Sequence, residues 1–221
     1  MDLQELKKQF TREELKIDEN FGRVFSFIDF SNVNKWFAND DRNLENELLQ
    51  QGEKVVVYLE GIKSFSDIFS DRSRIYYGEN PQNEKSLNFT YAMRKIFGRL
   101  DVVTKDLQKI KHYFSSEEQI PEKYVELDFN GKKYIIIRKS NFDVEISVDA
   151  IKMSEHYDTF CIFSGDADFV YLNNFLKKKG KKIIVIKGGF ITKKLRELAD
   201  LVINAQDIKK YIARAERQKP D

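Results

Sequence analysis

The sequence predicts an α/β fold, a parallel sheet flanked by helices, and three observations carry that expectation. Short apolar and β-branched runs at 23–30, 54–59, Thr159–Phe163 and 182–186 read as strands buried on both faces. Amphipathic helical stretches separate them, as at 169–179, which stops at Gly180. The order strand, helix, strand over residues 22–59 is a βαβ unit, and such a crossover makes its strands parallel.

In chain order, residues 1–20 read as a charged helical extension with Leu3, Leu6, Phe10 and Leu15 on one side. The main domain is expected over 21–211. Its first strand ends in Asp29-Phe30-Ser31-Asn32, where Ser31 and Asn32 can cap a helix running through Val33, Trp36 and Phe37. A helix is expected over 44–51 with Gly52 as its stop, and then the second strand over 54–59. Residues 74–77 suggest a further strand closed by Gly78-Glu79-Asn80-Pro81, and 87–97 a helix. Residues 101–110 fit strand or helix. Two apolar runs flank Asn130-Gly131, a strong hairpin signal. About 64–139 therefore reads as a long insertion after the second strand.

Residues 141–151 fit a helix with Val144, Val148, Ile151 and Met153 inward. After the strand Thr159–Phe163 and its helix, 182–186 forms a strand and Gly188-Gly189 a turn. A short basic helix over 192–199, a strand over 201–204 and a terminal helix over 208–217 complete the chain. Residues 212–221 read as a basic C-terminal tail.

Composition narrows the function. Of 221 residues, 41% are hydrophobic and 33% charged, which suits a globular domain with a heavily charged surface. The N-terminus is not a signal peptide and no apolar run is long enough for a membrane span, so a cytoplasmic setting with no membrane partner is expected. The one cysteine, Cys161, lies in a buried strand and cannot form an internal disulfide or a zinc cluster. From residue 177 onward Lys and Arg exceed Asp and Glu by 14 to 5, although the whole chain carries only +2. A basic end beside an acidic remainder suits a polyanion, and a solvated helix face is the plainer explanation. No phosphate-binding glycine loop is present, and two histidines offer no triad order.

The chemistry concentrates in aspartates. Asp166 and Asp168 follow a strand end, where ligands bind in open α/β sheets. Two adjacent negative charges call for a cation or a proton, yet Asp166 could equally cap the next helix. Asp29 closes an apolar strand, where an unpaired charge is costly. Asp143 begins a helix and could simply cap it, while Asp149 could lie on a solvated face. Three or four carboxylates at one sheet edge would form an all-oxygen site for Mg2+ or Mn2+.

At this point the chain resembles a known family. Phe27-Ile28-Asp29-Phe30-Ser31-Asn32 looks like the opening IDxxN motif of NYN domains. Asp143 to Asp149 looks like their DVxLxxD helix, and Ser164-Gly165-Asp166-Ala167-Asp168-Phe169 like their SGDxDF motif. Residues 176–186 resemble the LxxxGKKVxVI that follows it. The resemblance is to the LabA-like branch of the PIN-like ribonuclease superfamily. It implies a Rossmann-like (PIN-like) fold and a metal-dependent endoribonuclease. By motif position Asp29, Asp143, Asp166 and Asp168 would be catalytic and hold Mg2+ or Mn2+, with Asp149 less central and Asn32 beside them. The position after Asp29 is Phe where the family has a small residue.

Lys193, Lys194 and Arg196 are expected to grip the backbone of an RNA partner, single-stranded so that exposed aromatics can stack on bases. A homo-oligomer is compatible with this reading. The alternative is a regulatory or RNA-binding module that keeps the fold without cutting.

Overall fold

The computed structural model describes residues 3–114 and 120–217. Its centre is a six-stranded sheet in which every neighbouring pair is parallel. In spatial order the strands are β10 (Leu201–Asn204), β9 (Lys182–Lys187), β8 (Thr159–Phe163), β1 (Val24–Asp29), β3 (Arg72–Glu79) and β4 (Val102–Asp106). From β1 the chain builds outward through β3 and β4, then returns to the other side of β1 with β8, β9 and β10. The order therefore reverses between β1 and β8, the topological switch of a doubly wound sheet.

Alternation along the strands sends side chains to two cores. Val24, Ile28, Cys161, Phe163, Ile184 and Ile186 face one. That core is covered by Ile62 and Phe65 of α3 (Leu59–Ser66), Met93 and Phe97 of α4 (Glu84–Phe97) and Ile212 of α8 (Lys209–Ile212). Phe27, Phe160, Ile162, Ile183 and Val185 face the other. It is closed by Ile146 of α5 (Asp143–Lys152), Leu172 and Leu176 of α6 (Val170–Lys178) and Leu195 of α7 (Lys193–Leu198). Each such large side chain contributes roughly 1.5–3 kcal/mol when fully buried. Burial pushes the Cys161 thiol up to about 12, which leaves it inert as a nucleophile.

Several expected elements differ. The run at 54–59 is not the parallel neighbour of β1: β2 (Glu53–Val57) lies outside the central sheet and pairs antiparallel with β11 (Ala213–Arg217). The terminal helix expected over 208–217 is thus one turn, α8, followed by a strand, and the tail expected from 212 begins as β11. An edge strand needs partners for its amides, and Ala213–Arg217 supplies them. No helix covers 44–51; Asn43 Oδ1 accepts from the amides of Glu45 and Glu47 and holds a turn there instead. The insertion is narrower than 64–139, because β3 and β4 belong to the central sheet and α4 packs against it. Outside that sheet stand β5 (Gln108–Tyr113), β6 (Glu126–Leu127) and β7 (Lys133–Lys139), an antiparallel sheet containing the Asn130-Gly131 hairpin. Of the apolar residues on one side of the N-terminal extension, Leu3 and Phe10 of α1 (Leu3–Glu14) are exposed, whereas Leu15, just past its end, is buried in the core.

The rotation of α5 also differs. Val144, Val148 and Ile151 face solvent, and Phe142, Ile146 and Ala150 face the core. Phe142 packs on Tyr76 with ring centroids 5.8 Å apart, and the Tyr157 hydroxyl donates to the Ala150 carbonyl at 2.7 Å. These contacts select one of two apolar stripes of the helix.

The small sheet docks onto the central one where β7 leaves it. A Cβ on Gly78 in β3 would run into the Ser140 side chain and Leu107, so no side chain fits there. Gly78→Ala is expected to cost about 1–3 kcal/mol by overpacking. A denaturant melt measures this, and an unchanged midpoint would show that the junction yields freely.

Candidate functional site

β1 and β8 are paired with Ile28 opposite Phe163, so the turns that follow them emerge side by side at the switch point. Asp29 is the last residue of β1 and is 6% exposed. Its Oδ1 accepts from the Ser31 amide at 3.1 Å and the Ser31 hydroxyl at 2.6 Å. Asp29 itself is therefore the cap of α2 (Phe30–Val33), the role expected of Ser31 and Asn32. Asn32 Oδ1 accepts from the Trp36 indole at 2.9 Å, and Trp36 stacks on Phe163 of β8.

Asp166 caps the tight turn Ala167–Phe169 through Oδ1, which accepts from the Asp168 amide at 3.1 Å. Both side chains are exposed at the rim. Asp143 opens α5 and does not cap it; its amide donates to Asn141 Oδ1 at 2.8 Å. Burial raises the Asp143 carboxyl above its ordinary value, a hydrogen bond from Asn141 opposes this, and the charges of Asp166, Asp168 and Asp29 add to the rise. Asp29 is likewise raised, chiefly by burial and further by Asp166, against the hydrogen bonds of its own turn. The four aspartates thus share one electrostatic neighbourhood. Among the described residues none of them makes an ion pair.

Among the described residues no three His, Cys, Asp or Glu side chains are already drawn together as a ligand cluster. Like charges stay apart without a cation, and Mg2+ needs only one or two carboxylates when waters complete its shell. The donor set therefore fits a hard divalent ion by chemistry, all oxygen and without a competing cation.

Asp149 lies elsewhere. Its Oδ2 accepts from Arg74 Nη1 at 2.8 Å and the Tyr76 hydroxyl at 2.9 Å. This ties α5 to β3 and compensates a charged residue within the sheet. Asp149→Ala is expected to lower stability by about 2 kcal/mol, on the scale of hydrogen bonds to charged groups, while leaving Mn2+ binding unchanged. Melts and calorimetry on one preparation check it; lost Mn2+ binding would return Asp149 to the site.

Lys193, Lys194 and Arg196 are exposed on α7, anchored by buried Leu195, and Lys193 lies 3.7 Å from Glu197. The loop before α7 packs on the Asp166 turn, since a Cβ on Gly165 would come within 3.3 Å of the Phe190 carbonyl. Phe190 is 85% exposed there, and Tyr171, just past Asp168, 83%. Neither belongs to a motif, so only exposure beside the aspartates marks them as stacking surfaces. A cavity of about 590 Å³ against α1 includes none of the four aspartates. Among the described residues no helix is long and apolar enough to cross a membrane.

Comparisons with known proteins agree with this architecture. A stretch of 92 residues is 36% identical to the low amplitude and bright protein LabA of Synechococcus elongatus, covering 41% of this chain and 48% of that protein. The chain spans about half the length of the curated relative it matches. A Vibrio parahaemolyticus protein of unknown function, VPA0982, superposes with a TM-score of 0.55 at 16% identity, over 87% of this chain and 98% of that one. That likeness concerns the fold. The model of the NYN domain matches residues 23–206, most of the chain including all four aspartates, and the chain therefore belongs to the NYN domain family.

Proposed function

We propose that this chain is a metal-dependent endoribonuclease that hydrolyses RNA phosphodiesters at the Asp29, Asp143, Asp166 and Asp168 cluster. The single observation that best supports the reading is that Asp29 and Asp143 both sense the charge of Asp166 beside the paired ends of β1 and β8, with no ion pair to any of the four aspartates among the described residues. Membership of a family within the PIN-like nuclease superfamily supports it.

Asp29 and Asp166, on turns that leave paired strands, and Asp143, at the start of α5, would hold Mg2+ or Mn2+, with Asp168 at the rim. When bound, such an ion supplies charge stabilisation at a phosphoryl oxygen and a water of lowered pKa. Ser31 keeps the Asp29 carboxylate in place, and Trp36 fixes Asn32 beside it. Exposed Phe190 and Tyr171 offer faces for unstacked bases.

The same turns also favour a second reading. Asp29 and Asp166 each serve as a cap, a role that needs no metal. A binding module on this fold would keep these caps and cut nothing. A labelled single-stranded RNA incubated with the protein and Mn2+, or with EDTA, separates the two. Cleavage only with Mn2+ is expected; no cleavage with any divalent ion would leave the binding module.

A further inference from the structure

The small antiparallel sheet has no part in the aspartate chemistry, yet it borders it. A groove of about 250 Å³ opens between the turn after β1 and the end of β7. Lys35, Arg138 and Lys139 line it together with Ser31, Asn34 and Ser140, and no carboxylate does. Ser31 is the residue that holds Asp29, and β7 runs through Ser140 to Asp143. The groove is therefore bounded by segments that carry two of the four aspartates. Lys35, Arg138 and Lys139 are exposed, and none makes an ion pair among the described residues.

The charge continues outward. β5 and β7 also carry Lys109, Lys111 and Lys133, and neither strand contains a carboxylate. Their register sets Lys109 opposite Arg138 and Tyr113 opposite Tyr134, so these side chains share one face. The Lys111 ammonium lies 4.4 Å from the Tyr134 ring centre, and the Tyr113 ring, 49% exposed, packs 5.7 Å from it. The adjoining hairpin sets Glu126 on the Tyr134 hydroxyl and Asp128 beside Tyr113 and Lys111. The remaining cations, Lys109 and Arg138, with an exposed ring near them are what a sequence-tolerant single-strand surface requires: charge for phosphates and a flat apolar face for bases. An acidic protein surface would use the charge but has no need of the ring.

We propose that the groove and the Lys109–Lys111–Tyr113 face form the channel along which single-stranded RNA reaches the aspartates. The destination rests on the nuclease reading; the channel is a binding surface in its own right. The test therefore uses a fluorescent single-stranded oligouridine in EDTA, so that affinity is read without cutting. Lys35→Ala, Arg138→Ala and Lys139→Ala together remove three phosphate partners. Each phosphate contributes about 0.7 to the slope of log affinity on log salt, so the slope should flatten by about 2 and affinity fall roughly 100-fold at 0.1 M salt. Wild-type affinity and slope in the triple variant, with an unchanged melt, would overturn the channel. Should that variant not fold, Lys109→Gln with Lys111→Gln, at exposed strand positions, must flatten the slope by more than 1 or the proposal fails. If wild type cuts nothing with Mn2+ but the triple variant loses affinity, the channel stands and the nuclease reading falls.

Discussion

Asp166→Asn is expected to reduce RNA cleavage on the order of 100–1,000-fold while sparing fold and RNA affinity, the loss typical of one group that stabilises developing charge. The change is nearly isosteric, and the bond from the Asp168 amide falls on Oδ1, which Asn retains. Asn also caps about as well as Asp, so the turn Ala167–Phe169 should survive. What disappears is a negative oxygen donor beside Asp29 and Asp143, whose carboxyls both sense the Asp166 charge. One like charge facing the phosphates disappears with it, so binding should hold or tighten slightly. Cleavage in Mn2+, binding in EDTA and a thermal melt on the same preparation decide it. Wild-type cleavage by the variant would mean that Asp166 only caps.

Mn2+ is expected to raise the melting temperature of wild type and not of the double variant Asp29→Asn, Asp166→Asn. An ion held by the folded state alone stabilises it by about 2.7 kcal/mol at a hundred times its dissociation constant. For a chain of this length that corresponds to roughly 5–10 °C. The physical reason is that Asp29 and Asp143 are both raised by burial and by neighbouring aspartates, so their ionised forms strain the fold until a cation answers them.

The sign of the pH dependence in EDTA follows from the same shifts. Folded values above the unfolded one mean that the folded state binds more protons in that window. The contribution of these two groups to stability is then fully present below the unfolded value near 3.8 and is lost as pH rises through the folded values. Equal melting temperatures with Mn2+ and EDTA across that range would remove the metal from this site.

How legible each part was depends on how local its cause is. The strands at Val24–Asp29 and Thr159–Phe163 are apolar on both faces, and their buried alternation follows from composition. The turns after them carry capping aspartates within a few residues, so Asp29 and Asp166 could be placed at strand ends without a structure. β3 is less legible. Its arginines and tyrosines look unlike a buried strand, and Asp149, Asp101 and the Leu100 carbonyl, all from distant segments, make Arg74 tolerable there. The apolar run Val55–Val57 looked the better candidate and instead became an edge partner of β11.

By itself, then, the sequence determined the α/β class, the strand-end aspartates and the family, because each rests on neighbours in the chain. Tertiary structure decided which strands adjoin β1, which face of α5 turns inward, and that Lys35, Arg138 and Lys139 line one groove. Those outcomes depend on which buried partners compete for the same space. Helical periodicity offered α5 two stripes, and Tyr76, Tyr157 and Arg74 chose between them. No spacing along the chain records that choice, since its energy lies in contacts between segments remote in sequence.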